Sequence, residues 1–255
     1  MAELRWTPFL HEIADRADGI TLGRFQSVDL HVTRKPDRSP VTEVDQAVES
    51  MARKLCAERH PGLGVFGEEE GEAGDTGRRL IIDPLDSTRN FIRGIPIFAT
   101  LLAIEEEGEV VAGLVSAPAM SRRWHAERGH GAWRGDRRLR VSGIADLADA
   151  QLFHGDSGSA GESGPPRSYY ALGAGADRMR GFGDFFQHVL VAEGSGEAGL
   201  DPVVAPWDIA AVQVIVEEAG GKATALDGSR DIYAGNLLTS NGLLHEQALA
   251  AASGD

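Results

Sequence analysis

The sequence predicts a layered fold in which α-helices and β-strands are mixed. Segments with apolar residues at three- and four-residue steps, typical of helices, alternate with short apolar segments typical of strands. Some neighbouring strand segments are separated only by tight turns, as in hairpins, so a purely parallel sheet is not expected. The chain has 255 residues, of which 42% are hydrophobic, and this length can bury a sizeable core.

Two amphipathic helices are predicted in the N-terminal part of the chain. The first has its apolar face over residues 10–25. The second follows Thr42, which forms a T-x-x-D capping pattern with Asp45, and the Pro-Gly pair at 61–62 ends it. Between them, the basic segment 31–40 carries two prolines and is predicted to be a loop or a mobile ribbon.

The remaining segments are predicted to alternate between strands and helices. The predicted strands are residues 63–67, 79–82, 97–104, 110–117, a hairpin over 124–133 and 139–141, 222–225 and 237–240. The predicted helices are residues 184–193, 207–219 and 245–251. Because residues 156–166 are rich in Gly, Ser and Pro, we expect a loop there, near the boundary between residues 1–145 and residues 146–255 of one compact unit.

The charge of the chain excludes several kinds of partner. Its formal net charge is −14, so neither nucleic acid nor an anionic membrane is expected to bind. Residues 1–10 lack the pattern of a secretion signal, and the most apolar segment, residues 110–120, is too short to span a bilayer. Cys56 is the single cysteine, which excludes an intramolecular disulfide and fits a cytoplasmic location.

Acidic residues far apart in the sequence are candidates for one metal site. Glu68 begins a run of three glutamates, Asp83 and Asp86 lie in a D-P-L-D segment, and Asp208 opens an apolar helix, with Asp45 upstream. Mg²⁺ prefers oxygen ligands and is usually held by a few carboxylates together with a substrate phosphate. The pattern therefore predicts metal-assisted hydrolysis of a phosphate ester.

Each of these features also has an ordinary structural explanation. D-P-x-D is common where a strand turns, and consecutive glutamates commonly form a solvated loop. Asp45 is explained by the capping pattern, and Asp208 by the favourable charge at a helix start. Ser87 and Thr88 can offer N–H groups to phosphate and a hydroxyl to an attacking water, or can simply cap a short helix. Only the joint occurrence of the features favours a metal site.

Together these motifs resemble those of the inositol monophosphatase superfamily of Mg²⁺-dependent phosphatases. The matching segments are G-E-E at residues 67–69, D-P-L-D-S-T-R-N-F at 83–91, W-D-I-A-A at 207–211 and E-A-G-G at 218–221. Within the superfamily the chain is most similar to the bacterial histidinol-phosphate phosphatases, chiefly through R-G-F-G-D-F at residues 180–185. The resemblance extends over nearly the whole chain. It implies a five-layer αβαβα sandwich, two or three Mg²⁺ ions per active site and a homodimer.

The resemblance also implies roles for individual residues. The metal ligands would be oxygen donors of Glu68, Asp83, Leu85 (by its carbonyl), Asp86 and Asp208. Catalysis would use Glu68, Thr88 and Asp45, the last acting through water or at a weaker third metal. Phosphate would lie on Ser87 and Thr88, and the organic part of the substrate would contact Arg180, Asp184 and Asp201. Lys35 would sit on a mobile loop that closes over the site.

Departures from the family pattern leave the substrate open. Ser87 stands where most relatives have glycine, His125 stands where close relatives have tryptophan, and residues 153–161 lack a segment expected of histidinol-phosphate phosphatases. The expected reaction is hydrolysis of a small phosphorylated metabolite, L-histidinol phosphate in the first place. Inositol 1-phosphate and a sugar or nucleoside monophosphate are the alternative substrates, and a non-catalytic metal or phosphate sensor is the alternative outside the enzymes.

Overall fold

The computed structural model describes residues 4–35, 39–155 and 164–253. The helices are α1 (Thr7–Arg24), α2 (Glu43–Arg59), α3 (Thr88–Ile92), α4 (Arg167–Ala174), α5 (Asp184–Ala192), α6 (Pro206–Glu218) and α7 (His245–Ser253). The strands are β1 (Val32–Arg34), β2 (Pro40–Thr42), β3 (Gly64–Gly67), β4 (Gly71–Ala73), β5 (Arg78–Asp86), β6 (Ala99–Glu106), β7 (Glu109–Ala117), β8 (Arg122–Glu127), β9 (Gly131–Arg134), β10 (Arg137–Arg138), β11 (Gln151–His154), β12 (Arg178–Gly181), β13 (Ala198–Asp201), β14 (Lys222–Thr224) and β15 (Leu237–Ser240).

Eight strands form the first sheet, in the order β10-β9-β8-β7-β6-β5-β3-β4. Its neighbours are antiparallel except β3 and β5, which run parallel. Where β5 pairs with β6, Asp83 lies opposite Leu101 and Asp86 lies opposite Ala99. Asp86 is three residues after Asp83 in β5, whereas their partners in β6 are only two residues apart. β5 therefore carries one extra residue, a β-bulge, at the D-P-L-D segment.

Five strands form the second sheet, in the order β12-β11-β13-β15-β14. β11 is parallel to both β12 and β13, whereas β15 is antiparallel to β13 and β14. Helices cover both sheets. α1 and α2 pack on the outer face of the first sheet, α5 and α6 lie between the sheets, and α4 and α7 cover the outer face of the second. The predicted mixed α/β fold in five layers is confirmed.

Buried apolar side chains fill the spaces between the layers. One cluster joins α1 and α2 to the first sheet, a second surrounds α5 and α6, and a third lies under α4 and α7. Because α6 is enclosed by sheet on both sides, its apolar residues are buried all round, from Ile209 to Val216. Among the described helices, none combines the length and apolarity that a bilayer crossing requires.

The predicted helices and most predicted strands appear, with several additions. The basic segment 31–40 contains β1, and β2 begins at its last residue. These two strands form an antiparallel ribbon. β4, β11, β12, β13 and α4 were not predicted, since they are short and carry weak periodicity. The strand predicted over residues 139–141 is wrong, because β10 ends at Arg138. Most of the predicted loop, residues 156–163, lies outside the described residues, and the division at residues 145 and 146 stays a prediction.

Candidate metal centre

The bulge in β5 brings two aspartates to the same side of the first sheet. In a regular strand, residues three apart point to opposite faces, because side chains alternate. The extra residue between Asp83 and Asp86 changes that alternation. Carboxylate oxygens of Asp83, Asp86 and Asp208 consequently lie within 4.8 Å of one another. These three residues are called the carboxylate cluster below.

Asp208 reaches the cluster from the first turn of α6. Pro206 occupies the start of this helix, where its missing N–H costs no hydrogen bond. The Asp208 carboxylate accepts a hydrogen bond from the Ala205 N–H at 2.8 Å, which fixes the side chain beside the helix start. The central helix thereby delivers the third carboxylate to the C-terminal end of β5, an interior strand of the first sheet.

The cluster carries more negative charge than its protein partners compensate. Asp83 and Asp86 are buried, and each accepts a backbone N–H bond, from Leu85 at 2.9 Å and from Phe185 at 3.1 Å. Burial, followed by repulsion from neighbouring carboxylates, raises the pKa of both well above the usual range. Burial likewise raises the pKa of Asp208 to about 7. A divalent cation would supply the missing positive charge, and the oxygen donors suit Mg²⁺.

Glu68 lies beside this cluster but faces a lysine. The Lys35 ammonium is 2.6 Å from a Glu68 carboxylate oxygen and 2.7 Å from one of Glu69. Glu68 still adds to the repulsion that raises the pKa of Asp83 and Asp208. Burial raises the pKa of Glu69 to about 7 despite its contact with Lys35. The ammonium thus stands at the acidic site as a cation, while Glu68 as a metal ligand stays a prediction.

A buried glutamate that the sequence analysis missed supports the Glu68 loop. Glu49 of α2 accepts hydrogen bonds from the N–H groups of Glu69 and Glu70 at 2.8 and 3.0 Å, and it pairs with Arg53. A side chain on Gly67 would place its Cβ 2.3 Å from a Glu49 carboxylate oxygen. The glycine of G-E-E is therefore required by the close approach of Glu49.

Asp45 lies behind Thr88, as part of the start of α2. Its carboxylate accepts hydrogen bonds from the N–H and hydroxyl of Thr42 at 2.8 and 2.6 Å, so the predicted capping pattern is confirmed. The Thr88 hydroxyl lies 3.3 Å from Asp45 Oδ1 and donates to the Leu85 carbonyl at 2.9 Å. Burial raises the pKa of Asp45. Asp45 therefore both caps α2 and lies close to the Thr88 hydroxyl.

Ser87 adopts a backbone conformation that favours glycine. Its φ is +66°, immediately before α3, so the Cβ of serine is strained there. Its hydroxyl also forms a hydrogen bond with a carboxylate oxygen of Asp184. The positive φ fits a position where most relatives have glycine. The prediction that the Ser87 hydroxyl caps the short helix is wrong, because that hydroxyl bonds to Asp184 and makes no capping bond to α3.

Beside the carboxylate cluster lies a cavity of about 220 Å³. Its ionisable lining residues are Asp86, Asp184, His188, Asp201 and Asp208, and it is called the acidic cavity below. Asp201 is held by hydrogen bonds with the side chains of Gln187 and His188. His188 in turn lies 2.8 Å from the Thr239 hydroxyl. The pairing of Asp201 with His188 was not predicted, although two polar residues in the otherwise apolar α5 were a signal.

Two of the three predicted substrate contacts lie together in the structure, and the third does not line the same cavity. Asp184 and Asp201 both line the acidic cavity. Arg180 is exposed on β12, where its guanidinium donates to the Met179 carbonyl at 3.1 Å, and it is not among the lining residues. Its role as a substrate contact stays a prediction.

The family profile, the related sequences and the related structures all indicate the same protein family. The profile of the inositol monophosphatase family matches residues 4–254. A histidinol-phosphatase of Mycobacterium tuberculosis is 43% identical, with 93% of this chain and 94% of the relative covered. One of Streptomyces coelicolor is 42% identical, with 94% and 93% covered. The crystal structure of extragenic suppressor protein suhB from Bartonella henselae superposes with a TM-score of 0.88 at 30% identity, covering 96% of this chain and 97% of the other.

The fold, the order of the acidic motifs and these matches agree with one another, and the match to the family profile spans almost the entire chain. The chain belongs to the inositol monophosphatase family and is a phosphoric monoester hydrolase that acts on a phosphorylated metabolite.

Proposed function

We propose that the protein hydrolyses L-histidinol phosphate to L-histidinol and phosphate, with Mg²⁺ as its cofactor. One observation carries the proposal: the carboxylate cluster lies beside a cavity whose other ionisable groups are Asp184, Asp201 and His188. A metal at the cluster would take the phosphate, and the aspartates would face a cationic organic group. The relatives named histidinol-phosphatase, at 43% and 42% identity, support the same substrate.

The metal ligands in this proposal are oxygen donors only. Asp83, Asp86 and Asp208 form the cluster, and the Leu85 carbonyl and Glu68 complete the set for two or three ions. When bound, Mg²⁺ lowers the pKa of a coordinated water and neutralises phosphate oxygens. The raised pKa values of the cluster fit this role, because burial and then repulsion between neighbouring carboxylates disfavour the charged forms that a cation would stabilise.

Residues of the chain orient the attacking water and the phosphate. The Thr88 hydroxyl, between Asp45 and the Leu85 carbonyl, positions a water for in-line attack on phosphorus, and Asp45 and Glu68 are the acceptors for its proton. Backbone N–H groups of Ser87 and Thr88 hold the phosphate oxygens. Lys35 on the ribbon brings a further positive charge to Glu68. The P–O bond to the leaving alkoxide breaks as the bond to water forms.

The acidic cavity supplies the preference between substrates. Histidinol carries an ammonium group and an imidazole, whereas inositol is uncharged. The Asp201 carboxylate is already hydrogen-bonded to His188 and Gln187. Its negative charge can attract a cationic substrate, but these bonds hold the side chain in one position. Asp184 is more exposed and contacts Ser87, at the junction between the phosphate subsite and the cavity. We assign Asp184 as the main contact to the ammonium group.

A phosphate-release assay over a panel of monophosphates in Mg²⁺ tests the substrate. We expect the highest kcat/KM for L-histidinol phosphate, above inositol 1-phosphate and above sugar and nucleoside monophosphates. Asp184→Asn should raise KM for histidinol phosphate about tenfold, the loss of one charge-assisted hydrogen bond, and change KM for inositol 1-phosphate little. Asp177→Asn, an exposed position outside the cavity, is the matched control. A preference for the uncharged substrate would remove histidinol phosphate and the role of Asp184 together.

A cytoplasmic homodimer completes the proposal. Cys56 is buried and free, so the fold needs no disulfide and suits a reducing compartment. Light scattering coupled to size-exclusion chromatography measures the assembly, and a mass of about 27.2 kDa, that of one chain, would exclude the dimer.

A further inference from the structure

A second cavity lies away from the metal centre, beside the C-terminal end of α2 and the N-terminal end of β5. Its volume is about 310 Å³, and its walls include Arg5, Trp6, Arg59, His60, Leu63 and Arg78. α2 begins beside Asp45 and ends at Arg59, about 24 Å away at the rise of an α-helix. Within β5, Arg78 and Asp83 are five residues apart, about 17 Å for an extended strand. This site, called the basic cavity below, is separate from the carboxylate cluster.

Every ionisable residue that lines the basic cavity is basic, in a chain whose net charge is −14. Arg5 and Arg59 have surface partners, Glu106 at 3.1 Å and Glu12 at 2.9 Å, and over half of each arginine side chain is exposed. Arg78 forms no ion pair with the described residues, so its charge is left to the cavity.

Buried donors without acceptors point to a missing partner at the same place. Trp6 is 4% exposed, and its indole N–H has no hydrogen-bond acceptor among the described residues. The Nε of Arg78 is also buried, and none of the described residues accepts a hydrogen bond from it. Unsatisfied buried donors are rare in folded proteins, and two at one cavity indicate that something outside the chain accepts from them.

Packed aromatic rings and positive charges form the wall of the basic cavity. His60 packs against Trp6 and Phe9, with ring centroids 5.2 and 4.4 Å apart. Burial lowers the pKa of His60, and the positive charges of Arg78 and Arg5 lower it further. A neutral imidazole beside an uncompensated guanidinium leaves a preformed positive concavity, which attracts anions.

We infer that the basic cavity binds a small phosphate dianion, separately from the catalytic centre. The planar guanidinium of Arg78 presents paired donors that match two oxygens of a phosphate, and the Trp6 indole N–H supplies a further donor. Three arginines around the cavity favour a dianion over a monocarboxylate such as acetate. Nothing in this inference requires the proposed substrate or bound metal.

The test is a titration of the full-length protein with inorganic phosphate, after the metal has been removed with EDTA and the EDTA, itself an anion, has been dialysed away. Without a metal ion, the carboxylate cluster repels phosphate, so binding at the basic cavity is observed alone. The indole N–H signal of Trp6 in a ¹H–¹⁵N spectrum, assigned by its loss in Trp6→Phe, should shift and saturate. Acetate at the same ionic strength should bind at least about tenfold more weakly.

Two variants and one control decide the inference. Arg78→Gln should weaken phosphate binding about tenfold or more, the loss of a charge-assisted pair of hydrogen bonds. Trp6→Phe keeps an aromatic ring at this position but removes the N–H donor, and it should weaken phosphate binding measured by calorimetry. Arg137→Gln, which removes an exposed arginine far from the cavity, should bind as the wild type does.

Three results would overturn the inference: no saturable shift in the wild type, equal phosphate affinity in Arg78→Gln and wild type, or equally tight binding of acetate. Because the titration contains no metal, none of these results bears on turnover. If Arg78→Gln fails to give the wild-type circular dichroism spectrum, Trp6→Phe alone decides.

Discussion

Glu127 and Asp86 are both buried carboxylates, and their surroundings differ. Glu127 accepts hydrogen bonds from the N–H groups of Arg5, Trp6 and Thr7 and from the Thr7 hydroxyl, at the start of α1. Burial raises the pKa of Glu127, but these bonds outweigh burial and the pKa falls below its usual value. Asp86 has the Phe185 N–H as its backbone donor and faces other aspartates, so its pKa rises.

The difference separates acids that hold the fold together from acids that await a ligand. Partners from the chain complete the hydrogen bonding of Glu127, whose charge also favours the N-terminus of α1. The carboxylate cluster instead concentrates like charges in a buried place, which costs stability until a cation binds. The contrast between Glu127 and Asp86 is the one expected between an acid that stabilises the fold and an acid at a functional site.

The largest effect should follow from removing one charge of the cluster. Asp86→Asn should lower kcat/KM at least about 10³-fold and weaken Mg²⁺ binding, because a metal ligand becomes neutral. The metal-free variant should be as stable as the wild type or more so, since repulsion is relieved. Phosphate release and thermal unfolding in EDTA measure the two effects. Wild-type activity in this variant would contradict the assignment of the metal centre.

The pH dependence of stability should reveal the cluster in the metal-free protein. The pKa of Asp208 is about 7 in the folded state against 3.8 ordinarily, so the folded state binds more protons than the unfolded state between about pH 4 and 7. Its contribution to the free energy of unfolding is present below pH 4 and is lost as pH rises through 7. The stability of Asp208→Asn should not fall in this way with pH, because asparagine does not ionise.

Urea unfolding in EDTA at several pH values measures that difference. The stability of Asp208→Asn relative to wild type should grow by about 2 kcal/mol between pH 4 and 8, less than the full shift because the site admits some water. Saturating Mg²⁺ should cancel the advantage by stabilising only the wild type. A difference that stays constant with pH would show that Asp208 carries no raised pKa.

Glu127 should behave in the opposite way. Glu127→Gln should lower the free energy of unfolding by about 1–2 kcal/mol at pH 7, because its backbone donors lose a charged acceptor. Since the folded pKa is lowered, this stabilisation is present above the usual pKa and lost as pH falls through the folded value. Activity should be unchanged, and urea unfolding at pH 7 and pH 4 measures the effect. Greater stability of the variant at pH 7 would break the comparison.

The smallest expected effect concerns backbone strain beside the cluster. Ser87→Gly should raise the free energy of unfolding by about 0.5 kcal/mol, because glycine tolerates a φ of +66° while the contact with Asp184 is lost. Ser121→Gly, with a φ of +54° away from the cluster, is the matched control and should gain slightly more. Denaturation in EDTA measures both. Destabilisation by Ser87→Gly alone would mean that the Asp184 contact dominates.

Local patterns were sufficient to predict much of the fold and the candidate residues. The periodicity of α1, α2 and α6 and the Thr42–Asp45 capping pattern are properties of adjacent residues, so they are visible in the sequence. The second sheet was less visible, because β11, β12 and β13 have only four residues each and lack the alternation of a half-buried strand.

Long-range geometry accounts for the parts of the site that the sequence did not predict. The bulge between Asp83 and Asp86 depends on how β5 pairs with β6, which periodicity does not specify. The contact between Glu49 and Gly67 joins residues 18 positions apart, and the bond between Asp201 and His188 joins two elements through packing. These contacts become visible only when the layers are assembled.

The attachment of Asp208 to the central helix has a consequence for synthesis. A ribosome-bound chain that has emerged only as far as residue 200 contains Asp83 and Asp86 but lacks the third acid and the helix that carries it. Such a nascent chain cannot assemble the three-carboxylate grouping, so ion capture has to wait until α6 has been synthesised. The carboxylate cluster therefore depends on a helix that is synthesised after every strand of the first sheet.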